Sequence, residues 1–417
     1  MPCLLPDTLA ALSGETPADV RMVTPPAAFG APDGTVRRAG GKAVYGDDLT
    51  FHLDGLNFTV QWEDATIDGD RAAAILAELE DAWTALVVEG GWPAPVSSET
   101  WLLRVVLDAD LGGSGYTTVY ATDAYPEGYP VTYLNPVYEG DRPAYGLSVA
   151  VHELGHMLQY RLRDTSRGRS DSWFWEATSE WVAERAAPEL DTYADSTYWY
   201  AQWPDARFDR VERFHLYGML LLDAYLDERV FGFDGIRDTW IAGEGRADPW
   251  DMLIAETTGA DFGALIAAMA AEVAAGTLRE GALYEPPVRV ATHAEAPEWE
   301  IVDAPERYGT HYIDIGGGGA GLVVAGDVWV GYATDGAILD APPDGPFTLV
   351  LTALTDDEGE VGYGLTPPVD TPIEAPEGCA CAAPVGGSGA LAVGIAAAVA
   401  RRRRLLRVPA ALSAPTP

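Results

Sequence analysis

His152-Glu153-Leu154-Gly155-His156 constrains this chain more than any other stretch of its sequence. On a helix, residues four apart lie about 40° apart in azimuth and one turn apart in height, so both imidazoles can reach a single ion. Glu153 then stands close enough to polarise a water on that ion. The flanking Ala150, Val151, Met157 and Leu158 are uncharged, as a helix buried beside a metal requires. A helix opening near Arg142-Pro143, with proline in its first turn, carries the pattern.

A catalytic zinc takes three protein ligands and keeps one position open. The chain has six histidines, and none lies between His156 and His215. An extended metzincin pattern needs glycine at 159 and histidine at 162, where this chain has Gln159 and Leu162. Glu176 instead follows His156 after nineteen intervening residues, on a second expected helix beginning after Asp171-Ser172, with Glu180 one turn further on.

HExxH on one helix, followed by the run Trp173-Phe174-Trp175-Glu176-Ala177-Thr178-Ser179-Glu180-Trp181 on the next, resembles the gluzincin zinc metallopeptidases. The resemblance covers about residues 51–275 and implies a zincin-like fold, one catalytic Zn2+ held by His152, His156 and Glu176, and a protein or peptide substrate. It makes Glu153 the general base and sets Glu180 behind a ligand imidazole. Gluzincins stabilise the oxyanion with a Tyr or His from a later helix, for which Tyr217 and His215 are the candidates. Two residues apart on a helix, they differ by about 200° in azimuth and cannot both face the metal. Tyr217-Gly218 before an apolar run looks like the corresponding gluzincin helix. Two other readings use the same residues: an inactive zincin scaffold serving as a surface binding protein, and a zinc hydrolase of a non-peptide amide or ester.

The wider pattern is α+β. Residues 1–50 read as a loosely structured lead-in and 51–280 as the zincin-like unit. In the latter, a strand–helix–strand–strand–strand lobe precedes a helical middle that includes expected helices over 211–229, 250–258 and 262–275. Residues 284–366 read as a small all-β, sandwich-like domain. His52, His293 and His311 fall in expected strands far from the motif and read as structural.

Formal net charge is −38, and five of the arginines lie in the last seventeen residues, so the remainder is more acidic still. That field repels nucleic-acid phosphates, and no nucleic-acid partner is expected. Acidic loops such as Asp108–Gly113 are compatible with Ca2+ capture. The three cysteines, Cys3, Cys379 and Cys381, lie outside the stretches that look folded, which excludes a disulfide framework or a thiolate zinc site in the core.

Residues 367–378 form a Pro-rich linker, and 379–407 hold two cysteines, a short weakly apolar span and Arg401–Arg404. This arrangement resembles the myxobacterial C-terminal sorting tag and implies export, membrane contact through the tail and display at the cell surface, with release after processing at Cys379 or Cys381. No N-terminal signal peptide is recognisable. The sequence sets no oligomeric state.

Overall fold

The structure, a computed structural model, describes residues 42–44, 49–122, 125–136, 142–162, 172–355 and 359–366. The sorting-tag region and most of the N-terminal lead-in lie outside them. Among the described residues no single helix is long and apolar enough to cross a membrane.

The first sheet is built from β1 (Ala43–Val44), β2 (Phe51–Asp54), β3 (Phe58–Trp62), β4 (Trp101–Leu107), β5 (Gly115–Thr122) and β6 (Tyr125–Leu134). Its order is β2-β3-β4-β6-β5, with β1 parallel to the start of β4. β3, β4 and β6 run parallel, while β2 and β5 are antiparallel and form the two ends. Every residue of β3 is buried, and β4 is nearly so, as strands covered on both faces should be. One cover is helix α1 (Gly69–Trp83), capped by the Asp68 carboxylate on the Asp70 amide and burying Ala72, Ile75, Leu79, Ala82 and Trp83 at helical spacing. The opposite face carries a smaller cluster of Ala43, Trp101, Val106, Tyr129 and Val131.

Helix α2 (Pro143–Leu162) lies on the same face as α1, against β5 and β6, and is almost wholly buried. Helix α3 (Ser172–Ala186) packs on it and sends its aromatic residues into the core, where Phe174 stacks on Trp240 (5.6 Å) and Trp175 meets Trp240 edge-on (5.2 Å). Around these lie α4 (Ala194–Gln202), α5 (His215–Gly218), α6 (Leu220–Tyr225), α7 (Phe233–Ala242), α8 (Trp250–Thr258) and α9 (Phe262–Ala275).

The continuous helix expected over 211–229 is not what forms. Arg213 and Phe214, within a short 3-10 turn (Glu212–Phe214) that abuts α5, adopt left-handed backbone angles (φ 59° and 60°), and α6 continues into a π-helical stretch at Leu226–Phe231. Two successive left-handed non-glycine residues cost about 1–2 kcal/mol each. Packing offsets this: the Arg213 guanidinium sits over Trp203 (4.8 Å), and Phe214 packs on Trp199 (5.0 Å) and Tyr217 (6.2 Å). Gly218 lets α5 approach α4, since a Cβ there would lie 2.3 Å from the Tyr200 backbone nitrogen.

Beyond α9 the chain is β-structured. Strands β7 (Ala291–His293), β9 (Thr310–Ile315), β11 (Val328–Thr334), β12 (Ala337–Leu339) and β13 (Phe347–Ala353) form one sheet in the order β12-β11-β13-β9-β7. Strands β8 (Glu300–Asp303), β10 (Val323–Ala325) and β14 (Glu360–Gly364) form a second, in the order β10-β14-β8. Ile313, Ile315, Phe347, Leu349 and Leu351 share a core with Val361 and Tyr363 of the smaller sheet. The other face of the larger sheet lies on α9: Val350 and Tyr312 belong to the main core, and the Tyr312 hydroxyl meets Tyr200 (2.8 Å) and the Ala270 carbonyl (3.2 Å).

Asp223 on α6 is fully buried. Burial holds its carboxyl well above the usual carboxylate range, Asp227 adds to this, and the Thr178 hydroxyl offsets only part. The neutral form is therefore favoured in the folded chain, and the group costs stability as pH rises above the ordinary carboxylate range. Asp223→Asn is expected to raise the melting temperature at pH 7. The advantage should shrink below about pH 4, where both states of the wild type are neutral.

Candidate metal centre

The turn spacing of α2 stacks His152 and His156 on the face that meets α3, and α3 delivers Glu176 from the opposite side. His152 Nε2 lies 3.1 Å from His156 Nε2 and 3.2 Å from Glu176 Oε2, and His156 Nε2 lies 3.4 Å from that same oxygen. All three residues are buried, and theirs is the group of His, Cys, Asp and Glu donors, among the described residues, close enough together to hold an ion.

Hydrogen bonding fixes what these atoms present. Gln159 Nε2 donates to the Trp175 carbonyl (3.0 Å), so its Oε1 is the acceptor that faces His156 Nδ1 at 2.8 Å. The His156 ring proton therefore sits on Nδ1, with Ser179 Oγ also nearby (3.1 Å), and Nε2 offers a lone pair. Glu180 Oε1 lies 3.4 Å from His152 Nδ1. Two imidazole nitrogens and a carboxylate oxygen thus converge in an arrangement that could hold a cation. Their separations match the edges of a tetrahedron around zinc, about 3.3 Å for bonds of about 2.0–2.1 Å. Without a metal a proton takes that place. Burial alone lowers the His152 pKa, but hydrogen bonds to Glu176 and Glu180 outweigh it and hold it at about 10. Burial raises Glu176, yet His156 and His152 bring it down to about 2.

Glu153 is also fully buried, and its Oε2 accepts from Thr117 Oγ1 of β5 (2.6 Å). The oxyanion candidates part company. Tyr217 lies beside His152, with ring centroids 6.2 Å apart, whereas His215 stacks on Tyr200 (5.9 Å), and burial lowers its pKa to about 4. His52, His293 and His311 are in β2, β7 and β9. At the Asp108–Gly113 loop, the Asp108 carboxylate accepts the Asp110 amide (2.9 Å), and no third carboxylate or imidazole joins them among the described residues.

A cleft of about 390 Å³ opens beside the constellation, with His152 and Glu180 in its floor, Tyr145, Trp199 and Phe214 in its walls, and Arg142 paired to Asp195 (3.0 Å) at its exposed rim. Sequence reasoning did not single out Thr117, Gln159 or Ser179, while the aromatic run between 173 and 217, which could line a groove or fill the core, does both: Trp199 lines the cleft and Trp173 is buried. The Gln159 signal was present, three residues after His156 on the same helix face.

Residues 120–275 match a family of unknown function, DUF6055. The matched region includes α2, α3 and the rest of the helical part, and hence all three converging residues. No curated protein matches the chain.

Gly155 sets the spacing of the two helices, since a Cβ there would stand 2.9 Å from Ser179 Oγ and 3.2 Å from its Cα. Gly155→Ala is expected to push α3 from α2 at a cost of about 1–3 kcal/mol. Glu176 would then withdraw from the imidazoles, and Zn2+ affinity, read by competition with a chromophoric chelator, should fall by tenfold or more while the chain stays folded.

Proposed function

We propose that the chain is a zinc-dependent peptidase of the gluzincin type. The observation that carries this reading is the buried convergence of His152 Nε2, His156 Nε2 and Glu176 Oε2, with the His156 ring proton committed to Gln159. The buried carboxylate of Glu153 beside it is what a hydrolase needs and what a purely structural metal site does not. The sheet supports the same reading, because an antiparallel end strand, β5, lies along the motif helix as the zincin-like fold implies.

When bound, zinc supplies Lewis acidity that polarises a carbonyl and brings the pKa of water down to about 7. His152, His156 and Glu176 would hold it; Gln159 keeps His156 in the required tautomer, and Glu180, 3.4 Å from His152 Nδ1, would do the same for His152. Glu153 takes the proton of the attacking water and passes it to the leaving amine. Tyr217, beside His152, would donate to the developing oxyanion in preference to His215. The cleft receives the peptide, its aromatic walls meeting apolar side chains. Display outside the cell, with membrane contact through residues 379–407, is part of the proposal and rests on the sorting-tag resemblance.

Two variants of the full chain test the reading through metal content and hydrolysis of a peptide library. Glu153→Gln should keep one zinc per chain and lose about 10²–10⁴-fold in kcat. Tyr217→Phe should keep zinc and KM and lose about 10²–10³-fold in kcat. A wild type that holds zinc yet cleaves no peptide would move the assignment to a binding scaffold or a non-peptide hydrolase, and one that holds no metal would end it.

A further inference from the structure

β5 and β6 pair so that Thr117 lies directly opposite Thr132, and both side chains are buried beneath α2. Their hydroxyl oxygens are 2.6 Å apart, and Thr117 Oγ1 is also 2.6 Å from Glu153 Oε2. Each hydroxyl has one hydrogen. Thr117 Oγ1 is 3.2 Å from the Glu153 carbonyl, so its hydrogen goes to the nearer carboxylate, and Thr132 must be the donor in the pair of hydroxyls. The two threonines form a short one-way chain ending on Oε2. Oε1, equally buried, has no hydrogen-bond partner among the described residues.

We propose that Thr117, backed by Thr132, is a positioning residue for Glu153, fixing the carboxylate by Oε2 so that Oε1 is the atom that takes and returns the proton. The inference rests on the peptidase reading and deepens it. A carboxylate on a glutamate side chain turns easily about its last bond, and a donor on one oxygen stops that rotation. Threonine suits the task because branching at Cβ restricts its own rotamers. The bond serves both states of the base: with Oε1 ionised, Thr117 donates to a carboxylate oxygen, and with Oε1 protonated, it donates to the carbonyl oxygen that Oε2 becomes. Proton transfer at Oε1 therefore needs no rearrangement at Oε2, and no proton leaves either threonine.

Thr117→Val keeps the shape and removes the hydroxyl, Thr117→Ser restores it, and Thr132→Val removes only the backing donor. The full chain is loaded with Co2+, whose d–d spectrum reports the ligand set, and titrated with acetohydroxamate, which hands its hydroxyl proton to the adjacent base as it binds. Thr117→Val should leave the Co2+ content and spectrum of the free protein unchanged and weaken acetohydroxamate about tenfold or more. In the zinc form it should lower kcat by a similar factor at constant KM. Thr117→Ser should recover most of both losses, and Thr132→Val should show a smaller loss of the same kind, a readout that remains if the valine at 117 does not fold. Wild-type hydroxamate affinity and kcat in Thr117→Val would overturn the proposal, as would a serine variant no better than valine, since either result assigns Thr117 a packing role alone. Failure of the wild type to take up Co2+ would instead overturn the peptidase reading, and this inference with it.

Discussion

Two imidazole nitrogens and a carboxylate oxygen, buried within 3.1–3.4 Å of one another, are the constraint around which the helical part is organised. A positive charge at its centre, whether a metal ion or a proton, relieves the repulsion within such a group. The surrounding residues sustain the arrangement at one remove. Gln159 is held by the Trp175 carbonyl and in turn holds His156, so the backbone of α3 determines which nitrogen of a ring on α2 carries the proton. Ligand geometry and helix packing are one problem here, and Gly155 against Ser179 is where the two meet.

The sheet contributes on the other side of α2. Its parallel centre is covered on both faces, while β5, antiparallel and terminal, brings the threonine pair to Glu153. Burial of Glu153 without pairing to a cation is costly for a carboxylate. One donated hydrogen bond from β5 offsets part of that cost and leaves the second oxygen available.

The site was legible in the sequence to the extent that it is local. His152 and His156 follow from helical periodicity, and Glu176 and Glu180 follow from one further helix at a fixed spacing. The α+β class and the β-rich character beyond residue 286 were equally readable from alternation and from turn residues. Thr117 was not legible, because a strand threonine with polar neighbours has no sequence mark that it will face a residue 36 positions away. The break at Arg213 and Phe214 was hidden for a related reason. Neither residue favours a left-handed backbone, and the conformation is held by contacts to Trp199 and Trp203 that periodicity cannot show. His215 and Tyr217 share α5, and their azimuthal separation sends one to Tyr200 and the other to His152.

The DUF6055 match ends at the last residue of α9, yet the outer face of that helix is covered by the larger C-terminal sheet. Tyr312 of that sheet joins Tyr200, the neighbour of the cleft residue Trp199. A chain shortened at the family boundary would present a bare helix face to water and lose a brace one residue from the cleft wall. The two parts therefore share one core, and a cut between them opens it rather than releasing two finished modules.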